Sequence, residues 1–271
     1  MTLQLDNNYI YKYVPFSINT LKSLIKGEIW FGFPYNLNDP FEGEFILNAV
    51  NVLPDDSFLI DFYQDDLELP KSMVNGRIED IKKDISLFND DLSSFLKKTI
   101  KEEYGIACFS KTPKSILMWS HYADSHKGLC LIFDKTKLFS SLKRIQPAIQ
   151  ISEIDYQAKL PNATVELNVS GINILMEQEV FLRKLNDWKK EMEIRMYFHS
   201  KIKGIRRSIP FDRACLKGIV FGENIDEDNK LTITHLINSD KRYNVFWGNA
   251  KKNLKKRIME LEQYHFVIAG N

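Results

Sequence analysis

The chain lacks the motifs that announce standard nucleotide or ester chemistry. No GxGxxG follows a strand-like run, no GxxxxGK[ST] occurs and no GxSxG is present. This leaves dinucleotide-binding folds, phosphate-loop NTPases and hydrolases with a nucleophile elbow without support. Cysteine is scarce, with only Cys108, Cys130 and Cys215. Their odd number and apolar flanks read as buried free thiols of a reducing, cytoplasmic environment rather than as a disulfide framework. No cysteine pair stands at metal-ligand spacing, and His121 and His126 are five apart, not one helical turn, so no metal site is expected. No apolar run reaches the roughly 18 residues of a membrane span. The opening MTLQLDNNYIYKY carries Asp6 and has no apolar signal core, so a secretory signal is not expected. Charge of one sign is also missing: the net charge is +1, which supplies no global drive toward nucleic acid.

What is present is ample core material. Of 271 residues, 44% are hydrophobic and 12% aromatic. No internal repeat or low-complexity linker interrupts them. The expected architecture is a single α+β domain over residues 1–271, with a mixed or antiparallel sheet core, flanking helices and a helical insertion near 50–103.

The centre of interest is Cys108–Asp134, CFSKTPKSILMWSHYADSHKGLCLIFD. Gly105–Phe109 and Gly128–Phe133 are short apolar runs that suit buried strands, and Ile116–Tyr122 between them suits a short helix. Ser110, Trp119, His121, Tyr122 and His126 therefore fall on a connection, where functional groups concentrate. The plainer reading of Trp119 and Tyr122 at helical spacing is packing.

Along the rest of the chain, Tyr9–Val14 reads as a strand. Ser17 caps a helix to Lys26 that Gly27 ends, and Glu28–Phe33 is the next strand. Asn38-Asp39 before Pro40 forms a turn dense in polar chemistry, a second site candidate. Val50–Met73 has no clean period. Arg77–Glu103 reads as two helices broken at Asn89-Asp90-Asp91. Ile145–Tyr156 reads as one or two strands, Ser170–Leu185 as an amphipathic helix, Cys215–Phe221 as a strand and Asp226–Asn238 as a helix. Tyr243–Trp247 and His265–Ala269 are strand-like, with a basic helix or loop over Ala250–Glu262. From Glu191 to Phe198 the sequence alternates strictly, which predicts a half-buried strand with Glu191, Glu193, Arg195 and Tyr197 on one face. Those side chains suit either a solvated face of weak ion pairs or a carboxylate oriented by a neighbouring arginine and aimed into a cleft.

Four stretches together resemble a bacterial family, domain of unknown function 2971. They are YKY…LKSLIKGEIWFGFPYNLNDPFEGEF, CFSK…MWSHYADSHKGLCLIFD, WKKEMEIRMYF and GIVFGENI, spanning roughly Tyr9–Ile225. NDPFE and MWSHYA-HKG-FD are the specific blocks. The resemblance implies a bacterial protein near defence genes, hence a defence or toxin role, and no established reaction.

More distantly, the order of elements is similar to ADP-ribosyltransferase-like folds. Carried over residue by residue, that likeness puts Lys12 or Tyr13 at the first motif, Ser110 at the second and Glu193 at the third. No His or Arg stands in YIYKYV, where such folds carry one.

The likeness implies NAD as substrate and no further cofactor. Glu193, Ser110 and His121 would be catalytic; Lys12, Tyr13, Asn38, Asp39, Trp119, Tyr122 and Arg195 would bind substrate. Glu193 would stabilise an oxocarbenium-like ribosyl centre, and Trp119 or Tyr122 would stack on a ring. Two other readings stay open. One is a nucleic-acid-binding effector using the basic segments Lys201–Arg213 and Lys251–Arg257. The other is a non-enzymatic sensor in which Asn38, Asp39, His121 and Tyr122 form a buried polar network.

Overall fold

The computed structural model describes residues 5–48, 50, 53–168, 171–176, 180–199 and 207–264, with only the backbone described at 165–168 and 171–176. In chain order the elements begin β1 (Tyr9–Val14), α1 (Ile18–Lys26), β2 (Glu28–Trp30) and β3 (Ile46–Asn48). Next come α2 (Asp56–Asp61), α3 (Lys71–Lys83), α4 (Ile85–Glu103), β4 (Tyr104–Ser110), α5 (Ile116–His121), β5 (Leu129–Asp134) and α6 (Lys135–Ile145). Short strands follow: β6 (Gln150–Glu153), β7 (Asp155–Gln157), β8 (Asn162–Asn168), β9 (Gly171–Met176) and β10 (Arg183–Leu185). The chain continues with β11 (Glu193–His199), β12 (Ser208–Pro210), β13 (Leu216–Phe221), α7 (Glu227–Ser239), β14 (Phe246–Asn253) and β15 (Ile258–Gln263).

These elements form two compact units. The first comprises Met1–Gly32, Gly105–Ile154 and Asp187–Asn271, the second Phe33–Tyr104 and Asp155–Asn186. The fold is α+β around one main sheet, an eight-stranded mixed sheet ordered β15-β14-β13-β5-β1-β4-β11-β6 in the first unit. β13 and β14 run parallel, whereas β1–β5, β1–β4, β5–β13, β6–β11 and β14–β15 are antiparallel.

The pleat of β1 divides the first unit. Ile10 joins the larger core with Phe109, Phe133, Met196 and Phe198, and α6 and α7 add Leu138, Leu142, Ile233 and Ile237 to it. Tyr11 and Tyr13 point to the other face, into a smaller core with Trp119, Cys130, Val220 and Leu261. α1 forms as its sequence dictates. Ser17 accepts from the Thr20 amide, and Gly27 takes the left-handed conformation (φ 64°) that ends it. Gly128 has another reason to be glycine: a Cβ there would lie 2.2 Å from the Val14 carbonyl oxygen.

The second unit packs α2, α3 and α4 around Phe62, whose ring meets Phe88 and Phe95 edge-on. β3, β8 and β9 form a three-stranded sheet, and β7 and β10 form a separate pair.

Several expectations need correction. Residues 50–73 contain α2, started by Asp55 accepting from the Phe58 amide. The break between α3 and α4 falls at Asp84, which caps α4. Asn89 and Asp91 stay helical because their side chains have tertiary partners. Asn89 accepts from the Val50 amide, and Asp91 from Arg77 and the Tyr63 hydroxyl. The helix expected over 170–185 is instead β9, a 3₁₀ turn (Val180–Leu182) and β10. Ile172 and Ile174 are two apart, a strand period, and β9 pairs antiparallel with β8. Residues 250–262 form the β14–β15 hairpin, with alternating Met259 and Leu261 buried. The strand expected from Glu191 starts at Glu193. Glu191 ends a 3₁₀ turn, and Met192 at φ 48° breaks the extended run. Lys201–Arg206 and His265–Ala269 lie outside the described residues.

Candidate functional site

The polar face of β11 is sealed, not solvated. Glu193 is 4% exposed and Arg195 0%. Arg195 Nε donates to Glu193 Oε1 at 2.7 Å and Nη2 to Oε2 at 3.3 Å, a two-pronged pairing that suits a guanidinium. Two residues earlier Glu191 is buried as well. The Tyr122 hydroxyl donates to its Oε1 at 2.5 Å, and the Ser110 hydroxyl donates to its backbone carbonyl at 2.7 Å. Buried charges persist where they are paired and hydrogen-bonded. The unit therefore holds two buried polar groups two residues apart in the chain: Ser110 and Tyr122 on Glu191, and Arg195 on Glu193.

Trp119 and Tyr13 are packing groups. Trp119 is fully buried, donates from Nε1 to the Pro113 carbonyl at 2.9 Å and meets Tyr13 edge-on at 5.1 Å. The Tyr13 hydroxyl donates to the Thr112 carbonyl at 2.9 Å, and burial pushes its pKa up. The fully buried Trp119 ring is closed to a ligand, and His126 stacks near one face at 6.5 Å.

Lys12 departs from these groups. By the alternation of β1 it points to the larger core, over the Phe109 ring at 5.1 Å. Asn38 and Asp39 belong to the second unit. There Asp39 is buried and accepts from the Phe41 amide at 2.9 Å, while Asn38 is exposed. His121 is exposed, which corrects its expected place in a buried network.

His121 instead lines an open groove of about 670 Å³ with Thr112, Ser115, Lys114, Lys190 and Arg257. Lys114, Lys190 and Arg257 are exposed, and among the described residues no carboxylate lies within ion-pair distance of them. The groove was missed in the sequence because its cations come from three segments far apart in the chain. Its only signals were single lysines and the basic run ending at Arg257. The other cations of that run are locally balanced: Lys251 with Glu262, Lys252 with Glu223 and Lys256 with Glu260.

Ser120, at the groove wall, lies 3.1 Å from His126 Nε2 through its hydroxyl. Burial pulls the His126 pKa down, with Lys252 adding to the effect and Glu223 opposing it. His126 closes a left-handed run, Asp124–Ser125–His126, with φ of 46°, 51° and 70°. Among the described residues no group of three or more His, Cys, Asp or Glu side chains is placed to hold a metal, and no helix is long and apolar enough to cross a membrane.

A mixed α+β unit with buried carboxylates beside a cationic groove is the class of protein so defined. Residues 118–196 match the family described as "Protein of unknown function (DUF2971)". Over that segment the chain is similar to this family. The match takes in the MWSHYA, HKG, FD and WKKEMEIRM blocks on which the resemblance was drawn. No curated protein and no solved structure matches the chain.

Proposed function

We propose that the protein is a binding module for a phosphate-bearing ligand of nucleotide size, taken up in the groove beside α5. The observation that carries this reading is the convergence of Lys114, Lys190 and Arg257 on one open groove of about 670 Å³, with no carboxylate within ion-pair distance of them among the described residues. Cations around a concavity that carry no direct ion pair raise the local concentration of anions and supply charge-assisted hydrogen bonds to phosphate oxygens, although Glu260 lies near enough to Lys114 to feel its charge. His121, Thr112 and Ser115 add donors at the same wall. The test is calorimetric titration with NAD, ADP-ribose, ATP and pyrophosphate at low and high salt. Binding that weakens with salt and disappears in a Lys114→Ala/Lys190→Ala/Arg257→Ala variant is expected. No binding by any of the four at low salt, or undiminished binding in the triple variant, overturns it.

A second reading is an NAD-using transferase or glycohydrolase of bacterial conflict, as the resemblance suggests. The observation in its favour is that Ser110 and Tyr122 both bond Glu191, two residues before the Glu193–Arg195 pair, and that Met192, between the two carboxylates, lines the groove. Glu193 would have to exchange Arg195 for the ribosyl centre to stabilise its charge. Consumption of NAD by wild type and not by Glu193→Gln would select this reading; binding without consumption selects the sensor. Nucleic acid as the ligand would show instead as binding that grows with strand length and falls steeply with salt.

A further inference from the structure

The first unit holds a second concavity, and an amine lies at its inner wall. A cavity of about 390 Å³ is lined by Lys12 and Val14 of β1, Leu131 of β5, Glu28 and Trp30 of β2, and the outward lysines of α1. We propose that Lys12 is a nucleophilic amine that forms an imine with a small carbonyl compound carrying an anionic group.

The Lys12 amine is enclosed by protein, while its side chain keeps partial exposure along the cavity. Its contacts are one hydrogen bond to the Cys108 carbonyl at 3.1 Å and the face of Phe109 at 5.1 Å. Among the described residues no carboxylate lies within ion-pair distance of it. Enclosed lysines are ordinarily paired. One that faces a cavity without a counter-ion is biased toward the neutral form, which is the nucleophile in amine catalysis. Burial lowers its pKa, against the opposing pull of Cys108 and Glu193.

The rest of the lining fits the second half of the ligand. Lys22 and Lys26 are exposed at the mouth and suit a carboxylate or phosphate. Val14, Leu131 and Trp30 supply apolar walls, and the volume is that of a small-metabolite site. Glu28, buried and hydrogen-bonded by the Ser208 hydroxyl at 2.5 Å, is the carboxyl group of the cavity.

The step balances. The neutral Nζ attacks the carbonyl carbon; a C–N bond forms as the C=O π bond breaks, and the oxygen takes the proton that the nitrogen gives up. The carbinolamine then loses water to leave the C=N bond.

The test uses the full chain at neutral pH with pyridoxal 5′-phosphate as the aldehyde probe, trapped by borohydride and read by site-resolved peptide mass spectrometry. Lys12 should gain the reduced adduct several-fold faster than Lys22, Lys26 and the exposed lysines of β14. Its rate should approach its plateau at lower pH than theirs, in a setting where Cys108, Glu193, Glu28, Lys22 and Lys26 are the neighbouring ionisable groups. Lys22→Ala/Lys26→Ala should slow the phosphate-bearing aldehyde and leave propionaldehyde unchanged. Labelling of Lys12 no faster than of the exposed lysines, measured in wild type so that folding of a variant is not at issue, overturns the proposal. So does a Lys12 rate that follows their pH profile.

Discussion

Met192 separates two polar regions of the first unit. On one side Glu191, Glu193 and Arg195 are buried, with Tyr122 donating to Glu191 and Arg195 pairing with Glu193 inside the unit. On the other, Lys190, Lys114 and Arg257 stand in solvent around an open groove. The sealed region resembles a core that happens to be polar, and removing one of its members should strand another. The open region costs the fold little, since its charges stay hydrated, and its arrangement has no evident structural reason. The difference separates polarity that holds a protein together from polarity that waits for a partner.

The largest effect should come from breaking the sealed side. Arg195→Met leaves Glu193 buried without its counter-ion and should cost about 3–5 kcal/mol of unfolding free energy. Urea unfolding would check this, and a loss below 1 kcal/mol would mean the pair is more hydrated than its burial implies. Trp119→Ala should cost about 3–5 kcal/mol through the cavity it leaves, read in the same experiment. Tyr122→Phe removes one bond to a carboxylate and should cost about 1.5–3 kcal/mol. On the open side, Lys190→Ala should change stability by less than about 0.5 kcal/mol, while lowering affinity for a phosphate-bearing ligand; a large stability loss there would erase the contrast.

His126 gives the smallest effect and tests the border between the two regions. Its folded pKa lies below the ordinary histidine value, so the unfolded chain binds the proton more readily. Its contribution to stability is therefore intact above about pH 6.5, the unperturbed value, and is lost as pH falls from there through its lowered folded pKa. Thermal melts across that range should show a decline that His126→Asn flattens.

The framework was legible wherever one local rule governed. Ser17 and Gly27 bracket α1, and the two apolar runs around Ser120 became β4 and β5. What was not legible depended on distant partners. Asn89 and Asp91 look like helix breakers until Val50, Arg77 and Tyr63 are seen to bind them. The alternation of β11 was visible, but its polar face lies buried against groups that spacing alone does not bring near. Ser110 and Tyr122 were named from the sequence and both bond Glu191, while Glu193 pairs with Arg195 two residues on. Lys12 was grouped with them, yet the pleat of β1 turns it to the opposite face. The groove escaped notice for a related reason: Lys114, Lys190 and Arg257 carry no shared motif.

The sheet of the first unit also bears on how a ribosome must deliver this chain. β1 is synthesised well before its neighbours β4 and β5, which emerge only after the whole first segment of the second unit, and β11 waits for another. The second unit is itself split, because β3 pairs with β8 from the later segment. The first unit cannot finish before all of the second has been translated, and the second cannot finish before about half of the first. Long closures of this kind slow strand pairing, so the nascent chain must carry Tyr9–Val14 as an unpaired apolar strand for much of its synthesis, a natural client for a holding chaperone.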